Sequence, residues 1–243
     1  MAKRILRKYY IKTIRRLRHR KGYGVHSPFA YNLITKVIEE PFMYYCYNEI
    51  ERLKKEVLPL YTENISTGKR KKISFKKGTL LFRLVNHFKP QHILEIGSSW
   101  GISTLYLYEG NPSAELRSIE PDKLVCGVAR EITSSFLSPD TFSDGALFEA
   151  IDNYLLQYPC LQFVCIHRLA NEQDYPLLLD RLQNHLGPET VIVIDEINGN
   201  RARKVFWTGW MENNNVRVTM DLYDIGLIFC NPKLNKQDYV VAF

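Results

Sequence analysis

Nowhere in its 243 residues does the chain hold an apolar run near the roughly 20 residues a membrane-crossing helix needs. No apolar segment follows the N-terminal charges either, which reads against a secretory signal. Cysteine is sparse and odd in number: Cys46, Cys126, Cys160, Cys165 and Cys230, with no C-x-x-C pair. That argues against a disulfide framework and a structural metal, and for a reducing, cytoplasmic setting in which thiols act as small hydrophobes. Internal repeats and low-complexity tracts are absent, and so is the G-x-G-x-x-G signature of a dinucleotide site.

Acidic residues are missing from one place in particular. Residues 1–21 hold ten Lys or Arg and no Asp or Glu. The other 222 residues carry 23 basic and 26 acidic side chains, so the N-terminus accounts for the whole net charge of +7. Leu6, Tyr10, Ile14 and Leu17 recur at helical spacing there, and Gly22 and Gly24 end the pattern. This is a basic amphipathic helix. It suits an anionic partner (a membrane surface, nucleic acid or an acidic protein face), a helix docked on its own domain with solvated charges, or an Arg-rich transit peptide.

What is present is ordinary globular composition, 45% hydrophobic and 24% charged, long enough for one large α/β domain with an appendage. Ser27 and Pro28 suit the cap and first position of a helix that stops before Pro41. Residues 42–60 read as another helix, about 61–73 as a polar linker whose basic run "KRKKISFKK" is solvated, and "KGTLLFRLVNHF" as a helix stopped by Pro90. Residues 1–88 therefore read as a helical extension. From 89 to 243, apolar strands alternate with helical patterns, which predicts a mostly parallel sheet with helices on both faces. Three strands, "VRVTMDLY", "GLIFC" and "YVVAF", close the chain.

The stretch "HILEIGSSWGIST" at 92–104 carries the chemistry. Glu95 and Gly97 fall at the carboxyl end of the first strand, the edge where ligands bind in such sheets. Gly97 lets the backbone turn and a ligand approach, and Gly101 opens a helix whose free N–H groups face the same cleft. The spacing E-x-G-x-x-x-G, with Ser98 and Ser99 inside it, does not suit a pyrophosphate. The next strand ends at Glu120, where a carboxylate can accept two hydrogen bonds from a ribose diol. In "SDGAL", Asp144 stands where an adenine amine is met.

With "RLRHRKGYGVHSPFAYNLI", "PQHILEIGSSWGISTLYL" and "VTMDLYDIGLIF" also in view, the chain resembles a bacterial branch of the class I S-adenosylmethionine (SAM)-dependent methyltransferases, akin to the small-molecule O-methyltransferases. The resemblance implies a Rossmann-like fold with a seven-stranded sheet, SAM over the first two strand ends, Glu95 and Gly97 on its methionine part and Glu120 on its ribose. It implies methylation of a small-molecule acceptor. A non-catalytic relative that binds a partner or membrane is the rival, and a nucleic-acid methyltransferase the third option. The Asn/Asp-Pro-Pro-aromatic motif of amino-methylating enzymes is missing.

The chain departs from the branch where the acceptor is handled. The fourth strand ends in His167 where the branch has Asp, and the fifth ends in Asp195-Glu196, with Asn198 in place of a later His. Three readings stand. His167 or Asp195 is a general base. Alternatively His167, Asp195 and Glu196 hold a divalent metal, which the histidine disfavours for a hard cation. In the third, His167 is only a strand-end residue. Tyr175, Trp207 and Trp210 suit an acceptor pocket or core packing equally.

Overall fold

The computed structural model describes residues 2–19, 21–63, 65 and 72–243. Most of the expected linker, with 69–71 of its basic run, lies outside the described residues. Helix α1 spans Ala2–Arg18 and α2 Pro28–Leu33, which runs on into a π-helical turn at Ile34–Ile38. The Ser27 hydroxyl accepts the Ala30 N–H at the start of α2 and Pro28 is its first residue. Helices α3 (Cys46–Arg52) and α4 (Leu58–Thr62) are joined by a second π-helical turn, and α5 is Phe75–Phe88, capped by Ser74.

The alternating part follows: β1 His92–Ile96, α6 Ile102–Gly110, β2 Glu115–Ile119, α7 Lys123–Thr133, β3 Phe142–Ser143, α8 Leu147–Gln157, β4 Leu161–Ile166, α9 Asp174–Leu182, β5 Leu186–Asp195, α10 Arg201–Glu212, β6 Val218–Asp221, β7 Ile225–Phe229 and β8 Gln237–Val240. The strands form one sheet in the order β3-β2-β1-β4-β5-β7-β6-β8. The first five are parallel, β7 is antiparallel to both β5 and β6, and β8 runs parallel to β6 at the edge. The sheet thus has eight strands rather than seven. The extra strand, β8, begins at Gln237 ahead of the expected "YVVAF" and stops at Val240; it pairs along the β6 edge and satisfies its backbone there.

The central strands are apolar runs buried on both faces, as parallel strands under two helical layers must be. One core joins α2, α3, α5, α6 and α7 to one face, so the N-terminal helices and the sheet share it. The second core lies between the other face and α8, α9 and α10. Tyr175, Trp207 and Trp210 belong to this second core, at 2, 6 and 0% exposure, which settles them as packing residues rather than pocket lining.

Helix α1 departs from its amphipathic expectation. It docks at the β6–β7 turn through its charges: Arg15 forks onto the Asp221 carboxylate at 2.8 and 2.9 Å, and Lys12 meets Asp224 at 2.8 Å. Tyr10 and Leu17, expected along the apolar stripe, are exposed.

The α5–α6 contact positions β1 and its loop, and it is close. A Cβ on Gly110 would stand 2.7 Å from Val85 Cβ and 2.8 Å from the Phe82 carbonyl oxygen, a backbone atom that cannot turn aside. We expect Gly110→Ala to cost about 1–3 kcal/mol, read by thermal denaturation as roughly 2–4 °C per kcal/mol. An unchanged melting temperature would mean that the two helices separate there without cost.

Candidate functional site

The carboxyl ends of β1, β2, β4 and β5 open onto one cleft of about 790 Å³, within the range of small-molecule sites. Its floor is the β1–α6 loop. Gly97 and Gly101 have φ of +79° and +77°, and Ser99 between them has φ of +56°, a left-handed conformation unusual for a residue with a side chain. The loop therefore turns its backbone toward the cleft, as in anion-binding nests. A Cβ on Gly97 would stand 3.3 Å from the Arg168 carbonyl oxygen, tight against the β4 end. Gly101 serves packing instead: a Cβ there would meet Ala129 and Thr133 of α7 at 3.1 Å.

Ser98 and Ser99 line the cleft, and among the described residues both of their buried hydroxyls lack a hydrogen-bond partner. Orphaned buried hydroxyls are costly unless something completes them. Glu120 lines the cleft too. Its carboxylate accepts the Ser99 N–H at 2.8 Å and the Asp122 N–H at 3.2 Å, so it is oriented by backbone on both sides.

Glu95 is placed differently. It is fully enclosed, off the cleft surface. One carboxylate oxygen accepts from Thr104 Oγ1 at 2.6 Å and Ser118 Oγ at 2.9 Å, and the other lies 2.9 Å from His167 Nε2. Burial alone would raise its carboxyl. The hydrogen bond and charge of His167, helped by hydroxyls such as that of Thr104, outweigh burial and hold it below the usual range. For His167, burial opposes the charged ring, while Cys165 Sγ at 3.4 Å and the Glu95 carboxylate raise it well above the ordinary 6.5. Burial also pushes the Cys165 thiol up, so it stays neutral and Glu95 is the counter-charge. Glu95 and His167 form an ion pair beneath the loop.

The carboxylates at the β5 end have partners of their own. Lys77, from the first turn of α5, pairs with Asp195, which also accepts the Glu196 N–H at 2.8 Å. Glu196, left-handed at φ +54°, pairs with Arg203. His167, Asp195 and Glu196 all line the cleft, yet they turn to three different partners and do not converge as a metal triad. Among the described residues no cluster of His, Cys, Asp and Glu has the arrangement of a metal site. Asp144 lies outside the cleft lining, in a neighbouring cavity of about 410 Å³, with its carboxylate 3.1 Å from Arg130.

Lys77 is the site residue that the basic-run reading passed over as solvated. A signal was present: the first turn of α5 holds Lys76 and Lys77 and no acid. Cations at a helix N-terminus oppose the helix dipole, so they imply partners elsewhere. Lys77 finds Asp195, and Lys76 lies 4.2 Å from the centre of the Phe243 ring.

Solved structures share this fold. An O-methyltransferase from Bacillus cereus in complex with SAH is 18% identical, with 80% of this chain and 95% of that one covered at a TM-score of 0.60. An SAH-bound methyltransferase of Podospora anserina is 17% identical over 84% of this chain and 96% of that one, TM-score 0.59. The O-methyltransferase TomG of Streptomyces achromogenes, involved in tomaymycin synthesis and in complex with SAM, is 17% identical over 78% and 91%, TM-score 0.56. The fold is that of the class I methyltransferases. No protein-family model and no curated protein matches the sequence. At these identities the class I methyltransferase fold is shared while the sequences have diverged almost everywhere.

The buried pair has a pH signature. Glu95, held below its ordinary 4.5, contributes stability above that pH that is lost as pH falls through its folded value. His167, held above its ordinary 6.5, contributes stability below that pH that is lost as pH rises through its folded value. The pair acts in full between those two ordinary values and fades on either side. We expect His167→Ala, which strands the buried carboxylate, to cost about 3–5 kcal/mol, with the largest difference from wild type inside that window. Melting curves across pH check this, and a difference that does not vary with pH would sink the pairing.

Proposed function

We propose that the chain is a SAM-dependent methyltransferase that methylates a small molecule at oxygen. The observation that carries this reading is the pair of Ser98 and Ser99 hydroxyls, without a hydrogen-bond partner among the described residues, on a left-handed glycine turn whose Ser99 N–H is held by Glu120. The turn fits the methionine end of the cofactor. Glu120, oriented by two N–H groups, fits the ribose diol, and Pro121 and Leu147 give the adenine an apolar wall. Asp144, tied to Arg130, stands aside from that path. Neighbours of the same fold solved with SAM or SAH bound support SAM as the cofactor.

SAM, when bound, supplies a methyl group on an electrophilic sulfonium, so the protein must align the acceptor and manage one proton. His167, held as an imidazolium by Glu95, is unsuited to accept that proton near neutral pH; it is a positioning residue for the loop. The task falls to Asp195. An acceptor hydroxyl entering beside the Lys77–Asp195 pair gives its proton to the Asp195 carboxylate, while the Lys77 ammonium stabilises the oxygen as negative charge develops. No step needs a metal ion, because Lys77 provides the cation at this point.

The cofactor reading is tested by thermal shift. At a hundredfold excess over its Kd, S-adenosylhomocysteine stabilises a protein that binds it by about 2.7 kcal/mol, and NAD should do nothing. No shift from S-adenosylhomocysteine, or a larger one from NAD, would overturn the assignment.

The acceptor side is tested with labelled methyl groups on a panel of phenols and small hydroxy acids. Asp195→Ala and Lys77→Met should each lower turnover by roughly 10²–10⁴ and leave the S-adenosylhomocysteine shift in place, and a chelator should change nothing. Turnover that survives both substitutions would remove Asp195 from the mechanism. A cofactor shift with no methylation of any acceptor would favour the non-catalytic relative.

A further inference from the structure

Helix α1 turns to solvent the side chains that an amphipathic helix ordinarily buries. Tyr10 is 68% and Leu17 81% exposed. Seven residues apart, they share one face with Ile14 between them. Arg16 and Arg18, both exposed, stand about 100° to either side of Leu17. The outward face is an apolar strip with an arginine on each flank.

The inward face is committed. Arg15 forks onto Asp221, Lys12 pairs with Asp224, and both cations lie over the Tyr223 ring, 5.3 and 5.6 Å from its centre. The helix cannot roll its apolar strip inward without breaking a bidentate pair. More apolar surface continues past its end. Tyr23 is 82% exposed. The Lys21 N–H bonds Glu39, and Phe42 and Met43, just beyond Glu39, are 70 and 64% exposed.

We propose that this face docks the protein onto an anionic lipid bilayer. The charge is complementary: ten cations and no acid in residues 1–21, on a body of net charge −3. The apolar strip decides between anionic partners. A nucleic acid would meet the arginines and leave Tyr10 and Leu17 in water. A bilayer takes the arginines at its headgroups and the two apolar side chains below them. Asp224 also lines the cleft, so the docked helix sits at the cleft's rim.

The test is sedimentation of the full-length protein with phosphatidylcholine vesicles, with and without phosphatidylglycerol, and in parallel its binding to duplex DNA. Two double variants leave the Lys12 and Arg15 anchors intact: Tyr10→Ser with Leu17→Ser, and Arg16→Gln with Arg18→Gln. Wild type should pellet with the anionic vesicles alone, and lose them as salt rises from about 0.1 M toward about 1 M and the screening length falls from ~10 Å to ~3 Å. The serine pair should weaken vesicle binding by at least about tenfold, and the glutamine pair should remove the preference for anionic lipid. Wild type that ignores the vesicles, or a serine pair that binds them as tightly as wild type, overturns the proposal. Binding to DNA but not vesicles, indifferent to the serine pair, assigns the arm to nucleic acid instead. The S-adenosylhomocysteine shift, measured on the same variants, separates a loss of docking from a loss of fold and tests the cofactor reading independently.

Discussion

A single enclosed carboxylate organises the floor of the cleft. Glu95 has no access to water, so each of its oxygens must find donors within the protein. The donors come from three elements: Thr104 of α6, Ser118 of β2, and His167 just past β4. The β1–α6 loop sits directly above, and its conformation is bounded by what Glu95 holds. Removing an ion from water costs several kcal/mol even after relaxation. The imidazolium and two hydroxyls offset that cost only in one geometry. Glu95 therefore ties three secondary-structure elements together beneath the loop, although it never faces the cleft itself.

The β4 end answers the same constraint. His167 stands where it gives the Glu95 carboxylate a counter-ion, while a carboxylate at that place would have to ionise beside another at close range. At the neighbouring β5 end Lys77 sets a cation beside the Asp195 carboxylate.

Much of the fold was legible because periodicity reports burial. "HILEI", "LQFVCI" and "TVIVID" are mostly apolar, with few polar interruptions such as Glu95 and Gln162, because parallel strands are covered twice, and Ser27-Pro28 marks a helix start because of what a cap must accept. The glycine turn and Glu120 were legible for the same kind of reason, since a left-handed turn and a strand-end carboxylate are local facts. What could not be read was pairing between distant residues. Asp144 has the right place in the chain, yet Arg130 draws its carboxylate away. Trp207 and Trp210 have the chemistry of a pocket, but α10 turns them into the core. Lys77 lies 118 residues from Asp195, and its helix-end position hints only that a partner exists.

The extension and the sheet thus divide the work. What is proposed to hold the methionine and ribose parts of the cofactor comes from strand ends and loops between 97 and 122, where geometry follows from the alternating pattern itself. The acceptor side as proposed draws also on a residue before β1, since Lys77 reaches Asp195. Because α2, α3 and α5 share a core with the sheet, Lys77 of α5 is seated on the same packed body as the strand ends it faces. A fold that serves many acceptors can then change its substrate by changing the extension alone, while the turn above Glu95 stays as it is.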